Sequence, residues 1–197
     1  MIDPKTFFYG TRVKLFGGRL SQQQVDGTNA ILAEWVKRQL TDLRWFAYML
    51  ATVYWETAHT MWPIEEYGRG AGHPYGEPDP VTGQTYYGRG FVQLTWKANY
   101  ATMGRLLGID LANHPEWALG LPAATQILFE GMTKGASKVG DFTGLALDDC
   151  FSRTVENWDR ARAIINGTDH AAAISDIGRT FYGIIQDAEF SDIKVAA

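Results

Sequence analysis

Apolar positions recur along this chain with a helical period. From Ser21, Val25, Ile31, Leu32, Trp35, Val36 and Leu40 return at three- and four-residue spacing, which predicts an amphipathic helix. Ser21 with Gln24 three residues on reads as a capping box at its start. Thr41 is placed to stop this helix and Asp42 to cap the next. Leu43 to His59 is apolar on nearly every side, through Trp45, Phe46, Tyr48, Met49, Leu50, Val53 and Tyr54, so it predicts a buried central helix ended by Pro63. The helical period then disappears. Residues 64–90 are dense in Gly, Pro and Asp, which predicts a loop with a short hairpin in which Thr85-Tyr86-Tyr87 is the strand and Gly88-Arg89-Gly90 breaks it.

Helical spacing resumes from Trp96 to Leu107, with Thr95 as the expected N-cap and Gly108 as the stop. Pro122 to Thr133 predicts a fourth helix, and residues 134–150 a polar loop. Val155 to Ile165 and His170 to Gln186 predict the last two, with Asp169 capping the second. Phe7 to Leu20 reads as a short lead-in. The pattern predicts a mainly α chain: about six helices, a small β-hairpin lobe, and a cleft between lobes where a polymer site would sit. The length of 197 residues fits a single domain spanning 1–197, with 1–20 as its lead-in.

Composition narrows the function classes. Hydrophobic residues are 46% and charged residues 20%, so a packed core is expected rather than disorder. The net charge is −4 and no run of Lys or Arg occurs, which argues against nucleic acid. The same charge argues mildly against an anionic polymer, although a local patch can override a sum. Seven Trp and nine Tyr suit both a core and sugar-stacking platforms. Cys150 is the sole cysteine, so no intramolecular disulfide forms and synthesis in a reducing compartment is expected. No signal-peptide pattern or membrane-spanning apolar run is visible. The chain is therefore expected to be made in a bacterial cytoplasm, without membrane insertion and as a monomer. His59, His73, His114 and His170 are scattered, with no paired metal-ligand spacing, and no cofactor is expected.

Candidate chemistry centres on carboxylates. Glu56 lies near the end of the most apolar helix, beside Tyr54 and Trp55, where desolvation would favour the protonated acid that a proton donor needs. Glycoside hydrolysis usually needs a second carboxyl group. Glu65 and Glu66 follow the break at Pro63, and Glu77 and Asp79 lie in the next loop; all four are candidates. Where the hairpin hands over to a helix, Arg89, Gln93, Thr95 and Asn99 can bind sugar groups, hold a water, or serve the fold.

The run Tyr86-Tyr87-Gly88-Arg89-Gly90-Phe91-Val92-Gln93-Leu94-Thr95, with Asn99-Tyr100 after it, resembles the signature of glycoside hydrolase family 19, the class I chitinases. Trp55-Glu56-Thr57 resembles that family's His-Glu-Thr segment. Ile164-Ile165-Asn166-Gly167 resembles its Ile-Asn-Gly segment, and Asn113-His114-Pro115-Glu116 its Asn-Pro segment. The resemblance spans about residues 43–185 and is closest to compact phage and bacterial members. It implies a lysozyme-like α+β fold and an inverting cut of a β-1,4-linked N-acetylhexosamine polymer. Glu56 would then be the general acid and Thr95 a holder of the attacking water. Glu65 would be the preferred base, ahead of Glu66 and Glu77. Tyr87, Arg89, Gln93, Asn99, Asn166 and Glu66 would face or support the substrate.

Compactness favours bacterial peptidoglycan over chitin, as for an endolysin released through a holin or carried in a virion. One departure stands out: Trp55 replaces the family's usual His before the acid, with His59 as a possible substitute. That replacement keeps a non-catalytic glycan binder open as an alternative. A lytic transglycosylase using a single Glu is a third.

Overall fold

The computed structural model describes residues 2–133 and 142–189. The described residues form seven α-helices and one two-stranded ribbon: α1 (Pro4–Lys14), α2 (Gln22–Lys37), α3 (Leu43–Glu56), β1 (Ile64–Glu65), β2 (Arg89–Gly90), α4 (Lys97–Leu107), α5 (Leu121–Thr133), α6 (Leu147–Cys150) and α7 (Ala171–Ala188). The mainly α class with a small hairpin lobe is therefore correct. The helix starts at Ser21 and Asp42 are also as the sequence predicts: Ser21 and Gln24 form a full capping box, and Asp42 accepts from the Arg44 N–H. The Gly108 stop holds too, since that residue adopts a left-handed conformation that glycine tolerates.

Helix α3 is the axis of the core. Its residues Phe46 through Tyr54 are all buried, and it packs most extensively against α7, which in turn packs on α1. Each fully buried Phe46, Met49, Leu50 or Val53 contributes about 1.5–3 kcal/mol of transfer free energy. A helix buried all round can bring a carboxylate to a cleft only at its end, and Glu56 is its last residue.

Several local expectations are corrected. The lead-in carries a helix: Asp3 caps α1 by accepting from the Thr6 N–H, with Pro4 at the first turn. Helix α3 stops at Glu56, well before Pro63, because Ala58, His59 and Met61 all take positive φ angles of 47°, 68° and 53°. The ribbon strand is Arg89–Gly90, paired antiparallel with Ile64–Glu65; residues 85–87 only approach it. Thr95 does not cap α4. Its hydroxyl donates to the Gln93 carbonyl at 2.7 Å, and Trp96, at φ 74°, is the residue that turns into the helix.

Residues 155–165 are not an α-helix. Phe151 bridges to Glu156, and Arg160–Ile164 forms a tighter 3-10 turn. His170, at φ 60°, precedes α7 in place of an Asp169 cap. In the expected 134–150 loop, residues 134–141 lie outside the described residues and Leu147–Cys150 is helical. No helix of the described residues is long and apolar enough to cross a membrane.

Candidate active site

A cleft of about 490 Å³ opens where the end of α3, the ribbon, the start of α4 and the 165–166 segment converge. Its walls include Glu56, Glu66, Gln93, Thr95, Asn99 and Asn166. Six of the eleven residues singled out from the sequence thus meet in one concavity. They come from positions 110 residues apart, a convergence that only the fold can produce.

Glu56 is largely desolvated, its side chain 14% exposed, and it accepts a hydrogen bond at 2.5 Å from Nη1 of Arg162. Arg162 is itself only 5% exposed, and its Nε donates to the Asp169 carbonyl. The guanidinium thus fixes the carboxyl's orientation from the side of the 3-10 turn. Behind Glu56 the left-handed segment is pinned at several points. The Thr57 hydroxyl donates to the Val53 carbonyl and accepts from the Met61 N–H. Gln24 donates to the His59 carbonyl. Gly27 of α2 lies so close that an added Cβ would stand 1.8 Å from the Met61 carbonyl oxygen.

The adjacent glutamates divide because strand residues alternate in direction. Glu66 lines the cleft, accepting from the Gly88 N–H at 3.0 Å and more weakly from the Tyr75 hydroxyl at 3.4 Å. Glu65 is absent from the lining residues. It accepts from the Tyr87 hydroxyl at 2.9 Å and from Arg69 at 2.8 Å, and its Oε1 lies 4.0 Å from Nε of Arg89. Glu77 is exposed after a 3-10 turn, outside the cleft walls. Asp79 closes the 79–83 turn, accepting from the backbone N–H groups of Val81 and Thr82 and from Lys97. Those donors hold its carboxyl down at about 2.

The signature residues split between wall and scaffold. Arg89 is buried. Its Nη1 donates to the Thr85 carbonyl and the Tyr100 hydroxyl, and its guanidinium lies 3.6 Å over the Tyr87 ring. Its Nε has no hydrogen-bond partner. Arg89 and Tyr87 therefore brace the ribbon from behind and hold Glu65. Burial, with the Glu65 bond reinforcing it, pushes the Tyr87 hydroxyl above its usual range.

Gln93 is on the wall, donating to the Ile64 and Gly90 carbonyls. Asn99 donates to the Thr95 carbonyl, so the two polar residues at the start of α4 hold one another. With its proton committed to Gln93, the Thr95 hydroxyl keeps lone pairs for a water. Asn166 is exposed on the opposite wall. The signature glycines have steric reasons: a Cβ at Gly90 would meet the Ala118 carbonyl oxygen at 2.9 Å, and one at Gly88 would meet Oε1 of Gln93 at 2.8 Å.

Arg162, Tyr75 and Trp96 went unnoticed as site residues in the sequence. Arg162 stands four residues before Asn166, between Ala161 and the apolar run Ala163-Ile164-Ile165, which is a legible signal. Trp96 is 50% exposed on the cleft wall with Tyr75 edge-on at 5.1 Å. Its positive φ is costly for a side-chain-bearing residue, and such strain gathers at binding sites. Trp55 packs against the core and against the His170 ring at 5.0 Å, outside the cleft walls. His59 stacks on Tyr54 at 4.0 Å, so it does not stand in for a histidine beside Glu56 in the cleft. Among the described residues no group of three or more His, Cys, Asp or Glu is placed to hold a metal ion.

Comparison with known proteins bears on the fold and on one segment of the sequence. The sequence pattern of the family described as "Chitinase class I" matches residues 67–134. Endochitinase A2 of Pisum sativum is 49% identical over 36 residues, which are 18% of this chain and 11% of the pea protein. "Inactive chitinase-like protein 1" of Hevea brasiliensis is 46% identical over 46 residues, 21% of this chain and 15% of its own length. These plant matches are therefore short, and this chain spans 11% and 15% of the lengths of the two plant proteins.

The fold likeness runs further. A bacterial family 19 chitinase superimposes with a TM-score of 0.56 at 24% identity, covering 93% of this chain and 94% of that one. Chitinase C of Streptomyces griseus gives 0.57 at 20% identity, covering 94% and 76%. Residues 67–134 of this chain thus match the class I chitinase pattern, and the chain has the fold of the family 19 chitinases.

Proposed function

We propose that the protein is a glycoside hydrolase that cleaves β-1,4 bonds of an N-acetylhexosamine polymer by a single inverting displacement. The observation that carries this reading is the meeting of two carboxylates, Glu56 and Glu66, with Thr95, Asn99, Gln93 and Asn166 in one cleft. Glu56 is the general acid: it ends the buried helix, is largely shielded from water, and is aimed by Arg162. A carboxylate of the Glu65–Glu66 pair activates a water that donates to the Thr95 hydroxyl. Sequence spacing favours Glu65 and the cleft lining favours Glu66. Glu65 is paired with Arg69 and lies 4.0 Å from Nε of Arg89; Glu66 reaches the cavity itself.

Peptidoglycan is the substrate we favour, with chitin as the alternative, on the resemblance of the signature segments to those of phage and bacterial family members. Mass spectrometry of products from the wild type and Glu56→Gln, on purified peptidoglycan and on chitin oligomers, tests the reading. Reducing-end muropeptides from the wild type alone support a wall hydrolase acting through Glu56. Chito-oligosaccharides alone support a chitinase. Anhydro-ended products would replace hydrolysis with a transglycosylase. Absence of product from both substrates, with binding retained, would sink the enzyme reading in favour of a glycan binder. Glu65→Gln and Glu66→Gln identify the base: one should lose about 10²–10⁴-fold in rate while still binding. Two variants that both keep activity would refute a second-carboxylate mechanism.

A further inference from the structure

The protein is acidic overall, yet its first twenty residues hold four of the eighteen basic residues and one of the twenty-two acidic ones. The fold gathers three of these cations, Lys5, Arg12 and Arg19, around a groove of about 1060 Å³ between α1 and the turn that follows it. The groove lies on elements that contribute nothing to the cleft walls. Among the described residues neither Arg12 nor Arg19 has a carboxylate partner. The groove's own acid, Asp3, is committed to capping α1 through Thr6.

The groove also has an apolar face. Tyr9 is 62% exposed, Phe8 also lines the groove, and the Arg12 guanidinium lies 5.4 Å over the Tyr9 ring. Exposed arginines with no carboxylate partner among the described residues, set around an exposed aromatic ring, suit a polymer that carries both carboxylates and sugar rings. The guanidinium groups take the acid groups in fork geometry, and the ring takes a pyranose face.

We propose that this groove is an accessory binding site for an anionic glycan strand, separate from the cleft, which holds the enzyme on a negatively charged polymer that its net charge would otherwise repel. The proposal deepens the peptidoglycan reading above and rests on it for its biological sense. Uncharged chitin would gain nothing from the arginines, so the groove discriminates between the two polymers. Adding a weak second site to a cleft that grips one strand raises retention on an insoluble polymer well beyond either contact alone.

The test uses the full chain in its Glu56→Gln form, so that substrate is not consumed, with purified insoluble peptidoglycan and insoluble chitin as probes in sedimentation assays at rising sodium chloride. Binding to peptidoglycan should weaken with salt. Arg12→Gln/Arg19→Gln should reduce it by about fivefold, from the loss of two exposed ion contacts, and Tyr9→Ala should reduce it further. Chitin binding should stay unchanged in the arginine variant, since only the ring contact is open to an uncharged sugar. All three residues are exposed, so the variants should keep the parent's melting temperature, and in the Glu56-intact background they should hydrolyse soluble oligosaccharides at the wild-type rate. Equal peptidoglycan binding by parent and double variant, or an equal loss on both polymers, would overturn the proposal. If soluble oligosaccharides are not cut by the wild type while peptidoglycan retention still depends on the arginines, the catalytic reading fails and the groove stands.

Discussion

The Arg162–Glu56 pair allows a sharp energetic test. Both side chains are nearly out of water, at 5% and 14% exposure, so the small value of an exposed ion pair does not apply. Removing one member of a buried pair leaves an uncompensated charge, which costs about 3–5 kcal/mol. Because Glu56 opens onto a cleft, the lower end fits, and Arg162→Leu should cost about 3 kcal/mol. For a chain of this length that lowers the melting temperature by about 6–12 °C. Roughly 1 kcal/mol of the loss comes from the Arg162 bond to the Asp169 carbonyl, which is independent of Glu56.

The double variant Glu56→Gln/Arg162→Leu leaves no orphan charge. It should therefore be more stable than the sum of the single losses by about 2 kcal/mol. Urea denaturation of the four proteins measures this cycle. Additivity within about 0.5 kcal/mol would show that the two groups do not stabilise one another, and that Arg162 does not aim the acid. Activity is a second readout: Arg162→Leu should depress kcat more than KM, because it misplaces the proton donor and leaves the sugar-binding walls untouched.

Three further outcomes follow from particular contacts. Gly27→Ala would drive a methyl group into the Met61 carbonyl, 1.8 Å away, and should destabilise by about 2–4 kcal/mol, measured by thermal unfolding; a neutral result would refute the close α2 contact behind Glu56. Trp96→Gly relieves a φ of 74° and should recover about 1 kcal/mol of strain while weakening oligosaccharide binding, so a variant that gains stability and keeps full affinity would remove Trp96 from the site. Asp79 has a depressed folded-state value of about 2 against an ordinary 3.8, so the stability it lends is present above pH 3.8 and lost as pH falls toward 2. Asp79→Asn should accordingly be less stable than the wild type at pH 6 and indistinguishable from it near pH 2, in unfolding curves taken across that range.

Much of the candidate site was legible because its chemistry sits in short, unbroken segments. The Ser21–Gln24 box and the Asp42 cap are local hydrogen bonds within four residues, so sequence alone fixes them. The apolar run 46–54 cannot be exposed, and that alone makes Glu56 a carboxylate at the edge of a core. The Gly88 and Gly90 positions signal tight backbone approaches, although not against what.

Other features were illegible because distant groups decide them. Strand propensity pointed to 85–87, but the partner Ile64–Glu65 pairs with Arg89–Gly90. Helical periodicity suggested a helix at 155–165, but the Phe151–Glu156 bridge and the burial of Arg162 against Glu56 impose a tighter path. Pro63 seemed the natural end for α3, yet the helix stops seven residues earlier, where Gln24 and Gly27 of another helix meet the left-handed turn.

The sequence by itself determined the helical class, the central apolar helix, the identity of the proton-donor candidate and the resemblance of its signature segment. These depend on local capping, on periodicity and on which side chains water will not accept. The tertiary structure alone decided which of two neighbouring glutamates reaches the cleft and that Arg89 braces rather than lines it. It also decided that a guanidinium 106 residues away orients Glu56, and that three cations of an acidic chain share one groove. Each of these is a matter of direction and distance between segments remote in the chain, which pattern and propensity do not encode.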